Sequence, residues 1–481
     1  MLPLLSVFSL AQVIVPTLTP TPTPTPIPTP PPLPAQELVV QPQEVRPLPG
    51  QLDKVPVFNS NSPEVIQTEG ILLSTFPSGG KAVPNAHLNW PLVGRFDLFS
   101  HHIARSSNPT DWKPFYQGVI VYNPGTRPAT LDILQAVSYV TNPDAQFIEL
   151  PPYVENSTGK IYSGPGSRVM NDILRGVHQS DFPSQIVIPP RKSQMLFNLP
   201  IALGNARTTL MRLRSNQPVY MATLGMIAQT DFNIEYDPTD IFTLLYPPPP
   251  PFIRSPNLEE WQKLLDSGNL AGPRDRTPTP PEATNAEIIY GRVAGVAQGS
   301  EWRTEVVERP GARELSIPER GKAFSYPLST IPMVTLGTGQ VQSAPMLVRY
   351  PDTAYLAHGN YGVHYSLTLP LLNNTRDRQI VTLTIQTPLK RENQRDQLRF
   401  LEPPDRQVFF RGTVQFSYND EQGVPRTVYF HLVQRRGQQG EPLVTLNMPP
   451  GDRRLVKVNF LYPPDSQPPQ ALTVRTLERS P

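Results

Sequence analysis

From Gln51 to Tyr246 the chain is written in short apolar runs cut by Pro, Gly and Asn, several of which alternate with polar residues. FYQGVIVYNPG predicts a strand that ends at the turn sequence Asn123-Pro124-Gly125. In TLDILQAVSYV, Leu131 and Ile133 stand against Asp132, the period of two of a half-buried strand. Met195, Phe197 and Leu199 alternate with Asn198 in the same way, and TTLMRLRS and QPVYMATLGMIA continue the series. SRVMNDILRG breaks the rhythm. There Val169 and Ile173 share a helical face and Gly176 can end the helix.

After residue 284 the alternation is cleaner. YGVHYSLTLPLL sets Val363, Tyr365, Leu367 and Leu369 on one face, with His364, Ser366 and Thr368 on the other. IVTLTIQ opposes Val381, Leu383 and Ile385 to Thr382 and Thr384. VQFSYNDEQGVPRTVYFHLV predicts two strands around an Asn-Asp-Glu-Gln-Gly loop. Between the two stretches lies LYPPPPPFIRSP, followed by NLEEWQKLLDSG. That second phrase predicts a small helix capped by Asn257, with Glu260 at its third position, a Leu258–Trp261–Leu265 stripe and Gly268 as the stop.

One phrase occurs twice. YQGVIVYNPGTRPATLDIL is followed by IPPRKSQMLFNLP, and YSLTLPLLNNTRDRQIVTLTI by MPPGDRRLVKVNFLYP. Asn123 precedes Pro189 by 66 residues and Asn373 precedes Pro449 by 76. Both halves thus read strand, Asn turn, alternating strand, long excursion, Pro-Pro turn, alternating strand. Proline suits a strand end because its missing N–H is not needed there.

The fold class expected is all-β: two antiparallel β-sandwich domains of immunoglobulin-like kind, a diverged duplication, with Pro-rich linkers and one or two short helices. The domains are placed at residues 51–245 and 284–481, joined by a Pro-rich connector with a short helix at 246–283. Each is near 195 residues, large for a simple sandwich of ~100, so long loops or extra strands must take up the excess. GSRVMNDILRG and AFSYPLSTIPMVTLGTGQVQSAPM are the places expected to hold them.

Composition adds an address. Proline makes up 62 of 481 residues, more than twice the ordinary share of ~5%, which confines long helices and central strands to the gaps between proline clusters. A net charge of +2 with no basic tail argues against a nucleic-acid partner. The absence of cysteine excludes disulfides, thiolate metal sites and a thiol nucleophile. MLPLLSVFSLAQ carries an apolar run and then Ser9 and Ala11, small residues at signal-peptidase spacing, so residues 1–11 are a candidate signal peptide. It lacks the usual preceding Lys or Arg. Residues 12–50, which include PTLTPTPTPTPIPTPPPLPAQ, read as a disordered Pro/Thr-rich spacer of extended polyproline II character. No later stretch reaches the ~18–20 apolar residues that span a bilayer.

Candidate chemistry is sparse. Asp97, His101 and His102 in GRFDLFSHHIAR tempt a metal reading. On a strand, however, adjacent side chains point to opposite faces, which favours hydrogen-bonded structural histidines. His358 and His364 offer a weaker pair still. There is no Gly-x-Ser-x-Gly elbow or phosphate loop, and Glu287, Glu301 and Glu305 read as ordinary surface acids. Trp90, Trp112 and Trp302 lie in polar or Pro-rich surroundings, where an exposed indole could stack on a sugar ring. Arginines in KRENQRDQLRF, QRRGQQG and GDRRL could meet an anionic polysaccharide, although charged edge strands that block strand addition explain them as well.

The phrases GRFDLFSHHIAR, YQGVIVYNPG, NLAGPRDRTPTPP, IYGRVAGVAQGSEW and AHGNYGVHYSLTLPLLNNT, from about Phe76 to the C-terminus, resemble a family of uncharacterised cyanobacterial proteins, a domain of unknown function. The resemblance implies an exported, envelope-associated, β-rich protein and supplies no reaction. The function expected is therefore non-enzymatic: a protein of the periplasm or cell envelope, without cofactor, that binds a wall polysaccharide or an envelope protein. The alternative is a carbohydrate-active hydrolase with carboxylates on inserted loops, which needs two carboxyl groups ~5–10 Å apart in a cleft flanked by Trp. A metal-dependent enzyme using His101 or His102 is the third reading.

Overall fold

In a computed structural model, which describes residues 35–108, 110, 112–231, 252–283, 287–390, 392 and 395–478, the alternating runs form strands of an all-β fold. The candidate signal peptide and most of the expected spacer lie outside the described residues.

The first half supplies β1 (Pro56–Ser60), β2 (Leu92–Ala104), β3 (Phe115–Tyr122), β4 (Ala129–Val140), β5 (Gln185–Ile188), β6 (Ser193–Ile201) and β7 (Ala206–Ile227). One layer runs β5–β4–β7–β2 with antiparallel pairing throughout. Facing it, β6 pairs with β3, and β3 pairs with the far end of β7. The 22-residue β7 belongs to both layers because its register shifts between Ser215 and Val219. A strand that bends at such an irregularity can leave one sheet and enter the next. Phe96 and Leu98 from β2, Val119 and Val121 from β3, and Met211 and Met221 from the two ends of β7 fill the core between the layers. In β6 a bulge between Met195 and Phe197 breaks the expected parity, so Leu196 and Phe197 are buried together.

The second half supplies β8 (Ala294–Gln298), β9 (Ala323–Leu328), β10 (Ala344–Arg349), β11 (His364–Leu372), β12 (Gln379–Gln386), β13 (Val408–Asn419), β14 (Pro425–Arg435), β15 (Val444–Met448), β16 (Arg453–Leu461) and β17 (Gln470–Thr476). Here β15–β12–β17–β9 form one layer, while β11, β16, β13 and β14 are neighbours in the other. Tyr365, Leu367, Phe416, Val458, Leu383 and Val474 close the core between them.

The order β15–β12–β17–β9 repeats β5–β4–β7–β2, and β16–β11 repeats β6–β3. Register repeats too. Ile188 faces Ala129 as Met448 faces Gln379, and Ser193 faces Tyr122 as Arg453 faces Leu372. The twice-written Asn and Pro-Pro phrases meet at the same corner in each half. Asn123 donates through Nδ2 to the carbonyls of Ile188 and Arg127, at 3.0 and 2.7 Å, and its Oδ1 accepts from the Gly125 N–H. Asn373 donates to the carbonyls of Met448 and Asp377, at 2.8 and 2.9 Å, and accepts from Thr375. The backbone matches as well: Asn123 N–H donates to Lys192 and its carbonyl accepts from Arg191, as Asn373 does with Asp452 and Gly451. The residue after the second proline in each turn takes left-handed backbone, with φ of 57° at Arg191 and 74° at Gly451.

The halves also exchange elements. β8 lies between β1 and β10 as an extension of the first-half sheet, and Tyr350 enters that core to donate its hydroxyl to the Ala86 carbonyl at 2.8 Å. In return, Tyr153–Glu155 pairs with β14. The described residues from Gln36 onward form one compact unit. The ordered body begins before the spacer boundary expected at residue 50. Glu37–Pro42 pairs with Gln397–Glu402, and Val45 and Leu48 are buried.

Both expected helices are present. α1 (Pro165–Leu174) buries Val169 and Ile173. α2 (Leu258–Ser267) has the expected capping box, in which the Asn257 side chain accepts from the Glu260 N–H and the Glu260 carboxylate accepts from the Asn257 N–H. Trp261 docks it, fully buried, over Gly118, where a Cβ would lie 2.6 Å from the indole. Among the described residues no helix is long and apolar enough to cross a membrane.

Candidate functional site

On β2, His101 and His102 point to opposite faces, as alternation requires, and both are buried. His102 Nε2 meets Ser60 Oγ at 2.9 Å and Nδ1 meets the Pro63 carbonyl at 2.8 Å. Burial holds its pKa down to about 3, so the ring is neutral. His101 Nδ1 meets Thr208 Oγ1 at 2.8 Å. Its Nε2 faces Asp465 at 3.8 Å and Glu64 at 4.0 Å, beyond hydrogen-bond length. Asp97 is buried beside Arg95, 2.5 Å away, and burial raises its pKa despite that neighbour. The three metal candidates thus face separate partners. Among the described residues no group of three His, Cys, Asp or Glu is placed to hold a metal ion.

The tryptophans are not brought together either. Trp302 is 4% exposed, stacks on Tyr365 at 6.3 Å and donates its indole N–H to the Pro49 carbonyl. It is a core anchor with no face free for a sugar, which corrects the expectation for that residue. Its polar surroundings, GSEWRTE, misled because Pro49, far away in the chain, folds over it. Trp90 is half-buried against the first core, and Trp112 is 66% exposed. Glu301, read as an ordinary surface acid, is held at a pKa of about 2 by His364 and Arg303, with His364 Nδ1 3.3 Å from its carboxylate.

The feature best shaped to meet a partner is a groove of about 460 Å³ between the halves' exchanged elements. Its apolar floor is Ile148, Pro152, Val408 and Val433; its charged walls are Arg406, Arg411 and Arg435. β13 carries Arg411, the end of β14 carries Arg435, the loop before β13 carries Arg406, and the first-half excursion brings Ile148 and Pro152. That excursion is pinned by the Val433 N–H, which donates to the Pro152 carbonyl at 3.0 Å. Arg411 lies over the Phe147 ring, 5.4 Å from its centroid. No ion pair joins any of the three guanidiniums to a carboxylate among the described residues, whereas the neighbouring Arg436 pairs with Asp405 at 3.2 Å. Glu149 is the single acid of the lining.

Such a site offers three guanidinium forks to an anion and apolar side chains to whatever carries it. The sequence pointed to Arg435 through QRRGQQG but read it as an edge guard. Arg406 and Arg411 carry no local signal, because their convergence depends on pairing between distant strands. A larger groove, lined by Glu44, Glu308, Glu319 and Asp396, mixes these acids with Arg46, Lys322 and Arg395 and has no tryptophan in its lining.

No curated protein matches the chain. Among solved structures, procruciferin, an 11S globulin from Brassica napus, is 10% identical over 88% of this chain and 84% of its own, with a TM-score of 0.10. An 11S globulin from Wrightia tinctoria is 11% identical over 90% and 82%, with a TM-score of 0.09. Similarity at that level carries no argument about fold or function. The model of the family described as "Protein of unknown function (DUF3370)" matches residues 43–476, and the chain belongs to that family.

Proposed function

We propose that this is a non-enzymatic, exported cell-envelope protein that binds an anionic wall polysaccharide through the arginine-lined groove. The carrying observation is the set of three guanidiniums that, among the described residues, form no ion pair with a carboxylate and stand around an apolar floor, Asp465 acting on Arg411 only from beyond ion-pair distance. Arginines that only guard an edge gain by pairing with nearby acids, as Arg436 does; an unpaired, converging set is the arrangement that an anionic ligand completes. Export is supported by the signal-like residues 1–11 and the Pro/Thr stretch that follows, a composition suited to hold a folded body away from a surface. Two domains of immunoglobulin-like sandwich kind, derived by duplication, are the architectural part of this reading. The repeated strand order, register and Asn corner support it.

Affinity electrophoresis of the full chain in gels containing polygalacturonate or neutral dextran tests the binding. Retardation is expected in the polyuronate alone, weakening as salt rises, and an Arg406→Gln/Arg411→Gln/Arg435→Gln variant should bind at least about tenfold more weakly. Equal retardation of variant and wild type would sink the groove. Recovery of the mature chain solely from the cytoplasmic fraction would sink the address.

A further inference from the structure

A second, smaller cavity of about 180 Å³ has a lining distinct from that of the groove and lies where residues of both halves converge. Asn61, Tyr290, Arg292, His358, Tyr361 and Lys390 line it. Asn61 is 97% buried, and its Oδ1 has no hydrogen-bond partner; the same is true of His358 Nδ1. Neither side chain makes a hydrogen bond among the described residues. A buried carboxamide and a half-buried imidazole with its Nδ1 enclosed cost stability when left in that state, and a ligand that pairs with them recovers it. Burial keeps His358 neutral, with a pKa near 4, so it serves as both donor and acceptor.

The aromatic walls are preset. Tyr290 donates its hydroxyl to the Pro332 carbonyl at 2.7 Å, and Tyr361 donates to Ser466 at 2.9 Å, so both rings are anchored by their polar ends. His358 stands edge-on to Tyr290, 4.9 Å between centroids. Gly359, with φ of 87°, admits the Tyr361 ring where a Cβ would stand 2.8 Å from it.

The lining contains two cations and no carboxylate. Arg292 is already paired with Glu64, while the Lys390 ammonium lies 5.2 Å from the centroid of the Phe409 ring. An anion is favoured over a cation. At ~30 Å³ per water the space equals roughly six waters, enough for one sugar ring and too little for a nucleotide. Carboxamide, neutral imidazole and tyrosine faces are groups that pair with ring hydroxyls and cover C–H faces. We propose that this cavity is a binding site for a single sugar acid, a uronate monosaccharide whose carboxylate meets Lys390 and whose hydroxyls meet Asn61 and His358.

Isothermal titration of the full chain with sodium galacturonate and sodium glucuronate tests this, with glucose and acetate as controls. Saturable one-to-one binding of a uronate is expected, with glucose and acetate weaker. Asn61→Ala should weaken it roughly tenfold, and Lys390→Gln, which removes the ammonium and keeps a polar side chain of similar length, about threefold or more. The arginine-groove triple variant should keep its uronate affinity, and Lys390→Gln its retardation by polygalacturonate, so either site can fail without the other. Absence of saturable uronate binding, glucose binding as tightly as uronate, or affinity unchanged in both variants would overturn the assignment.

Discussion

His102 shows how a buried polar residue is made tolerable and what that costs under acid. Its two ring nitrogens face Ser60 and the Pro63 carbonyl, and its pKa falls to about 3; His431, enclosed near Thr413, falls to about 4. In the unfolded chain both titrate near ~6.5. The unfolded state therefore takes up protons first as the solution is acidified. The stability these residues contribute is complete above that pH and is lost as pH falls from ~6.5 towards 4, at about 1.4 kcal/mol per unit for each ring. Urea midpoints should be level between pH 7 and 8 and decline below 6.5, with a shallower decline in His102→Gln. A midpoint that holds to pH 5 would show that these rings do not resist protonation. At this scale the sequence was informative about orientation. Strand parity separated His101 from His102, but Thr208 and Ser60 reach them from other strands. The same limit explains Trp302, whose covering partner Pro49 lies 253 positions away.

The Asn corner joins three structural pieces: the end of one strand, the turn after it, and the Pro-Pro turn before a later strand. Asn373 Nδ2 serves the carbonyls of Met448 and Asp377 while its Oδ1 takes the Thr375 N–H. Truncation leaves those backbone groups without partners at a buried site. Asn373→Ala should lose about 2–3 kcal/mol in urea unfolding, and Asn123→Ala a similar amount, since it serves the equivalent atoms. A loss under about 0.5 kcal/mol at either position would deny the corner its role. Elements of this kind were legible. The alternation of β11 and the capping box of α2 were read correctly, because both are set by residues a few positions apart. The bulge in β6 was not, since an inserted residue shifts parity without a marker in composition.

Across the whole molecule, the two halves lend each other strands, and neither is complete alone. Removing residues 284–481 strips β8 from β1 and Tyr350 from the first core, leaving an unpaired edge and a hole. Fragments 35–283 and 284–481 made separately should lack cooperative unfolding and near-ultraviolet circular dichroism, and regain both when refolded together. Cooperative unfolding of each fragment at the full-chain midpoint would show independent domains. The arginine groove and the small cavity share this origin, each being lined from segments far apart in the chain. The order of apolar and polar residues determined by itself that the protein is built of strands, where the helix capped by Asn257 begins and stops, and that one corner is written twice. Those features depend on steric and hydrogen-bonding preferences acting over a few residues. Which strands become neighbours, which indole is covered and which charges converge were decided by tertiary structure alone. They follow from burying whole sheets at once, a free energy that no local stretch contains.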